Sequence, residues 1–341
     1  MITAKTCEDP VVWDSFVESM PEASNYHRWI WRRAIEDTFG HKAYYLAAGD
    51  GSAVKGVLPL FWIKSRVFGQ SLVSVPFFSY GGVLAASDEA RDSLLNAAAE
   101  LAAKLGARRV ELRQGSVSDY GWCGVSGKVM MEVDLPSAAG ELWNRLSSRL
   151  RNKIRNAEKH GFRSQWGGIE DVEHFYPVFA GNMRNLGTPV YPRSWFENLC
   201  RCAPESTRII TLWEGTKPIA GAFLSSFRET MEAPWICSLP EARKSYSSVL
   251  LYWSFLQWAI GQGSRKFDLG RCTPGGGTYE FKRLWGCNER PLHWYYWLAP
   301  GAPVPQLQKE NPKFQVAIRL WKHLPLFVAN QLGPRIVRSL P

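Results

Sequence analysis

One ordered set of local patterns occurs twice in this chain, and that repeat limits the fold more than any single residue does. In the first half, residues 43–48 read as extended, Asp50-Gly51 turns, and residues 54–63 return. Asp-Gly supplies the positive φ of a tight hairpin turn. Residues 71–76 are extended again. A helix follows over residues 88–105, with Ser87 placed to cap it and Gly106 to end it. Residues 109–113 close the unit as a strand. The second half repeats the order: strand 209–213, turn Glu214-Gly215, strands 218–226 and 230–237, helix 247–262 stopped by Gly263, and strand 266–269.

The correspondence reaches individual residues. Gly106-Ala-Arg-Arg-Val-Glu-Leu-Arg113 echoes Gly263-Ser-Arg-Lys-Phe-Asp-Leu-Gly-Arg271, and Asp50-Gly51-Ser52 echoes Glu214-Gly215-Thr216. A repeat of this length points to duplicated domains rather than a solenoid. The 341 residues suit two domains of ordinary size. Hairpin, strand, helix and strand in that order resemble the core of the acetyltransferase superfamily. The expected fold is therefore α/β (α+β), with tandem duplicated GNAT-like (acyl-CoA N-acyltransferase) domains of mixed sheets flanked by helices. The expected boundaries are an N-terminal GNAT-like domain at 1–136, a basic linker helix at 137–165, a C-terminal GNAT-like domain at 166–300, and an amphipathic basic tail at 301–341.

The formal charge of +10 speaks about partners rather than fold. Nucleic acid such as tRNA, an anionic membrane and a phosphorylated substrate all fit it. Part of the charge sits on residues 140–160, which read as one helix. Leu142, Leu146, Leu150 and Ile154 recur at four-residue spacing, and Gly161 is placed to cap it. This helix carries Arg145, Arg149, Arg151, Lys153, Arg155 and Lys159 against Glu141 and Glu158. Such a face either gathers phosphates or is simply a solvated surface.

The stretch Leu150-Arg-Asn-Lys-Ile-Arg-Asn-Ala-Glu-Lys-His-Gly161 resembles the basic helix of the FemAB family. Three later segments extend the likeness: Asn182-Met-Arg-Asn-Leu-Gly-Thr-Pro-Val190, Phe267-Asp-Leu-Gly-Arg271, and Tyr279-Glu-Phe-Lys-Arg-Leu-Trp-Gly286. Together they resemble the branch found beside exosortase and exopolysaccharide genes, over roughly residues 10–300. The resemblance implies an aminoacyl or acyl transferase acting on a cell-envelope precursor of peptidoglycan or exopolysaccharide. Its donor would be aminoacyl-tRNA or, as presumed for BioF2-like acetyltransferases, another acyl carrier such as acyl-CoA, with no tightly bound cofactor. In FemX-like members the lysine of the last Phe-Lys motif sits by the transferred acyl group. That residue matches Lys282, and Phe281 matches its neighbour. A cation at this place would stabilise the oxyanion that forms when an amine attacks an ester or thioester.

Further candidates surround these. Asp268 and Arg271 flank a glycine at the end of a strand, where α/β proteins hold ligands. Asp268 is either a base or an orienting partner, and Arg271 either a phosphate ligand or half of a structural pair. Arg151, Asn152, Arg155 and Lys159 of the basic helix, and Arg184, Thr188 and Tyr191 after it, are candidates for substrate binding, with packing and capping as their alternative roles. Tyr279 and Tyr80 join them, the latter in the aromatic loop Pro76-Phe-Phe-Ser-Tyr-Gly-Gly82. Gly275-Gly-Gly277 lacks the Lys-Ser or Lys-Thr of a P-loop. Acetyltransferases that bind coenzyme A usually carry a glycine-rich loop before the central helix. The matching place reads Arg243-Lys-Ser-Tyr-Ser-Ser248, without glycine, which favours a bulkier donor.

Scattered histidines and the absence of Gly-x-Ser-x-Gly or His-Glu-x-x-His argue against hydrolase and metalloenzyme chemistry. Seven scattered cysteines without a Cys-x-x-Cys pair suit reduced thiols in the cytoplasm. The longest apolar run, residues 249–260, is shorter than the ~20 residues of a spanning helix. In the tail from Lys313 onward, Phe314, Ile318, Trp321, Leu324 and Phe327 stand among Arg319, Lys322, Arg335 and Arg338. This segment either docks on the second domain or lies peripherally on the inner face of an anionic membrane, and Pro325 and Pro334 should interrupt any long helix. Two other functions remain open beside envelope acyl transfer: acyl-CoA-dependent acylation of a sugar or small amine, and non-catalytic binding of glycans or a membrane surface.

Overall fold

The computed structural model describes residues 1–65, 68–117, 119–304 and 312–340. Residues 305–311 and Pro341 of the expected tail, and the side chains of Lys313 and Phe314, lie outside the described residues. In chain order the elements are β1 (Thr3–Thr6), α1 (Pro10–Ser19), α2 (Ile30–Phe39), β2 (Lys42–Gly49), β3 (Val54–Ser65), β4 (Gly69–Val73), β5 (Leu84–Ala85), α3 (Asp88–Leu105), β6 (Arg109–Gln114) and β7 (Cys123–Asp134). They continue with α4 (Ala139–Arg145), α5 (Ser148–Glu158), β8 (Arg163–Gly167), α6 (Val172–Leu186), α7 (Arg193–Cys202), β9 (Thr207–Glu214), β10 (Lys217–Phe227) and β11 (Thr230–Ser238). The last are α8 (Ser247–Gly261), β12 (Lys266–Cys272), α9 (Gly277–Arg283), β13 (Asn288–Leu298), α10 (Pro312–Lys322) and α11 (Leu326–Val337).

Two compact units emerge. One comprises residues 1–128, 291–304 and 338–340; the other comprises 129–290 and 312–337. In the first, β1-β2-β3-β4-β6-β13 pair in that order, antiparallel except for the parallel pair β4–β6. In the second, β8-β9-β10-β11-β12-β7 do the same, with β11–β12 the parallel pair. The two topologies coincide strand for strand, so the fold expected from the repeat is present: tandem GNAT-like domains with mixed sheets and flanking helices. The sixth strand of each unit arrives out of turn. The first unit takes it from β13, near the end of the chain, and the second takes it from β7, before its own hairpin.

Local signals explain the elements. Ser87 accepts a hydrogen bond from Ala90 N at the start of α3, and Gly106 ends that helix in the left-handed region at φ 67°. Such a cap is worth about 1 kcal/mol. Leu94, Leu95, Ala98 and Ala102 turn inward from α3 onto Leu58, Leu60, Leu72 and Val110 of the sheet. The longest apolar run of the sequence is α8, and it is apolar on nearly every side because it is buried there: Val249, Leu251, Tyr252, Phe255, Leu256 and Ala259 all lie within the second core.

Three expectations need correction. The basic helix of 140–160 is two helices. Leu146 is extended at ψ 145°, and Ser147 caps α5 by accepting from Leu150 N. Four-residue spacing of leucines could not reveal this break, since Leu142, Leu146, Leu150 and Ile154 are buried together on both sides of it. The strand expected at 71–76 stops at Val73, and the chain turns at Val75 and Phe77, which both have positive φ. In the tail, Pro325 separates α10 from α11, but Pro334 lies inside α11. There Gly333 is pressed against Val190, where an added Cβ would come within 2.8 Å, so packing holds the helix across the proline.

Candidate active site

The parallel strands β11 and β12 part company part-way along. Their pairing runs Thr230–Lys266, Met231–Phe267, Glu232–Asp268 and ends there. Beyond it β11 stays with β10 as far as Ser238, while β12 stays with β7 as far as Cys272, through a register shift between Asp268 and Arg271. Two backbones that separate leave peptide groups between them without a ladder partner. The first such groups on β12 are met in another way. Asp268 Oδ1 accepts from Gly270 N at 2.6 Å, and the Gly270 carbonyl accepts from Lys282 Nζ at 3.0 Å.

Lys282 reaches this point because α9 is pinned from behind. Gly275 takes φ 74° and Gly276 caps the seven-residue helix. Phe281 meets the edge of Tyr252 of α8 at 4.9 Å, and Trp285 stacks on the same ring at 5.6 Å. Trp285 is fully buried, and Lys282, between these two anchors, is 5% exposed. Gly270 makes room for it: φ is +82°, which side chains other than glycine rarely adopt, and a Cβ there would lie 3.6 Å from both Lys282 Nζ and the Ala233 carbonyl. Of the three donors of an ammonium, one is spent on the Gly270 carbonyl. Burial pushes the neighbouring Cys287 thiol up to about 12, against the lowering effect of the Lys282 charge. The thiol donates to the Lys282 carbonyl at 3.1 Å. A buried cation with donors to spare, at a gap between strands, is suited to an acyl oxygen that becomes anionic.

The remaining sequence candidates fall into separate groups. Asp268 is 1% exposed and braces the bulge; Glu232, opposite it on β11 and 4% exposed, was not singled out from the sequence. Its only signal was an acid inside an otherwise apolar strand. Arg271 is exposed at the end of β12. Tyr279 is half-buried and donates to Glu289 at 2.6 Å, which raises its phenol above the ordinary value. Arg151, Asn152, Arg155 and Lys159 do share α5. Asn152 Oδ1 accepts from Arg155 Nη1, and the Arg155 guanidinium lies 5.3 Å from the Trp143 ring. Leu150, Ile154 and Ala157 bury the opposite face of α5. Arg184 donates to the Leu324 carbonyl at 3.4 Å, and exposed Thr188 closes α6 through its N–H to Met183. Tyr191 packs among Phe179, Trp195 and Trp235 and accepts at its carbonyl from the Tyr176 hydroxyl. Tyr80 belongs to the first unit, buried against Tyr26.

The segment before α8 also differs from the sequence expectation in one respect. Tyr246 takes the left-handed conformation, φ 58°, at the position where a glycine was missed. Ser247 is buried and its hydroxyl donates to the Ala242 carbonyl. Lys153 of α5 lies 5.9 Å from the Tyr246 ring. The turn into the helix is thus made without glycine.

Residues 144–283, which span this site, match the family model of an acetyltransferase (GNAT) domain. With the strand order above, this makes the chain an acyltransferase of the GNAT fold. Within that class its fold is FemAB-like. The crystal structure of FemX is 17% identical, with 85% of this chain and 96% of that chain covered at a TM-score of 0.67. A tandem GNAT protein from the clavulanic acid biosynthesis pathway is 10% identical (89% and 99% covered, TM-score 0.57). The structure of L-PGS from Bacillus licheniformis is 14% identical (93% and 98% covered, TM-score 0.56). At these identities the likeness is one of fold. No curated protein matches the chain. Among the described residues no helix is long and apolar enough to cross a membrane.

Proposed function

We propose that the second unit transfers an acyl or aminoacyl group to an amine of a cell-envelope precursor of peptidoglycan or exopolysaccharide, with Lys282 as its electrophilic residue. The observation that carries this reading is the buried Lys282 ammonium held at the parting of β11 and β12. The amine attacks the donor carbonyl, Lys282 Nζ donates to the oxygen as it becomes anionic, and the leaving group departs as the amide forms. The proton lost by the amine ends on the leaving group. Phe281 positions Lys282 through Tyr252, and Asp268 keeps Gly270 in its left-handed turn. The basic face of α5, with Arg151, Asn152, Arg155 and Lys159, suits phosphates of donor or acceptor. Arg271, Tyr279, Arg184, Thr188 and Tyr191 are proposed to line substrate paths of this unit, and Tyr80 is proposed as a substrate contact of the first unit.

A second reading concerns the donor. The GNAT-domain match favours acyl-CoA over aminoacyl-tRNA, and the left-handed Tyr246 weakens the sequence argument for a bulkier donor, because the turn into α8 forms without glycine. A screen of acetyl-CoA, longer acyl-CoA and aminoacyl-tRNA against amine acceptors tests both points. Lys282→Met should lose about 10²–10³ in turnover, with a stability loss of only about 1–2 kcal/mol from the orphaned Gly270 carbonyl. Full turnover in that variant removes Lys282 from the chemistry.

A further inference from the structure

The two C-terminal helices dock on the second unit by one face only. Ile318 of α10 sits against Gly187, where an added Cβ would be 2.5 Å away, and Ala329, Gly333 and Val337 of α11 are buried. The Arg184 bond to Leu324 ties the turn between them. Several apolar side chains of both helices are nonetheless open to water. Leu320 and Phe327 are each 67% exposed, and Val316, Leu332 and Ile336 are exposed as well. Val316 and Leu320 are one turn apart on α10 and face away from Ile318, and Phe327 faces outward on α11, while Leu332 and Ile336 border the buried face of α11 at 39% and 37% exposure. Arg319 and Arg335 lie beside them and are exposed, and Lys322 exposes its end while its stem packs by Gly187 next to Ile318. Residues 312–340 contain no aspartate or glutamate.

We infer that this double-helix face is a peripheral membrane-docking surface selective for anionic lipid. Exposed apolar side chains on helices whose charged residues are all cations match a bilayer surface, which offers apolar depth beneath negative headgroups. A second copy of the chain fits less well. Two-fold pairing would set the same cations against each other, and residues 312–340 have no acid to neutralise them. The inference does not depend on the transfer chemistry, and its readout is binding rather than turnover.

The full-length protein is sedimented with phosphatidylcholine vesicles, with or without about a third phosphatidylglycerol. Binding to the anionic vesicles alone is expected, weakening as salt rises. Arg319→Gln, Lys322→Gln and Arg335→Gln should each lower the partition coefficient about fivefold. Leu320→Glu with Phe327→Glu should abolish binding. These side chains are exposed and glutamine keeps part of the Lys322 stem that packs by Gly187, so the thermal midpoint and near-ultraviolet dichroism of each variant should stay close to the parent. Equal binding to neutral vesicles, or anionic binding unchanged in these variants, overturns the inference. So does a concentration-dependent dimer by light scattering that Phe327→Glu abolishes while no vesicle binding is seen.

Discussion

The same parting of parallel strands occurs in both units, but one is closed with protein and the other is left to a lysine. In the first unit β4 and β6 pair through Val73–Glu111, as β11 and β12 pair through Glu232–Asp268. There the chain fills the gap with itself. Ser74 N donates to the Glu111 carbonyl, Arg113 N to the Ser74 hydroxyl, and Gly81 N to the Arg113 carbonyl. The Arg113 guanidinium pairs with Glu111 at 2.8 Å, both side chains 4% exposed, and donates to the Phe78 carbonyl. The Trp294 ring covers it at 4.6 Å. In the repeat, Arg113 falls on Gly270 and Glu111 on Asp268. One unit spends its buried cation on a buried carboxylate; the other removes the side chain and brings a cation from a separate helix to a backbone carbonyl. A paired cation locks structure, whereas one with donors left over can meet a reacting oxygen.

Removing each cation should therefore do opposite things. Arg113→Met leaves Glu111 buried without its ion pair and should cost about 3–5 kcal/mol of stability. Denaturant titration measures it; a midpoint like that of the parent would break the comparison. Lys282→Met should instead shift the midpoint much less, by the cost of the orphaned Gly270 carbonyl, and lose most of its turnover. If both variants lose only stability, the second gap is as structural as the first.

The first unit also carries a pH liability. Burial holds the His27 imidazole at about 4, and burial with the Arg338 charge holds His41 at about 4. Unfolded, each takes up its proton near 6.5. Between those values the unfolded chain binds more protons, so stability is full above 6.5 and falls as pH drops toward 4. At pH 5 the loss should be about 2 kcal/mol for each histidine. Denaturation at pH 7, 6 and 5 measures the slope, which His27→Gln and His41→Gln should flatten. Smallest of all, Gly270→Ala should cost about 1–2 kcal/mol, because only the left-handed backbone resists it and the Cβ meets nothing closer than 3.6 Å. A loss much larger than that in the melting curve would mean that the gap is tighter than its distances indicate.

The duplicated order of elements, the α3 helix with both caps, and the apolar α8 were legible because they depend on neighbours a few residues away. Periodicity and capping are local signals. The break at Ser147 was not legible, since one buried face runs through it. Nor was the left-handed Tyr246, whose turn lies in the segment before α8. Lys282 was singled out by motif resemblance, not by its own chemistry, because an isolated lysine in a sequence is ordinarily a solvated one.

By itself the sequence determined that this chain folds as two like halves, since hydrophobic period, hairpin turns and caps repeat within it. Only the tertiary structure decided which strand completes each half, which gap is closed by Arg113 and which is served by Lys282. Those choices join residues far apart in the chain, such as Gly270 and Lys282 or Trp294 and Ser79. Their energies come from burial and from hydrogen bonds that exist only after the sheets have formed.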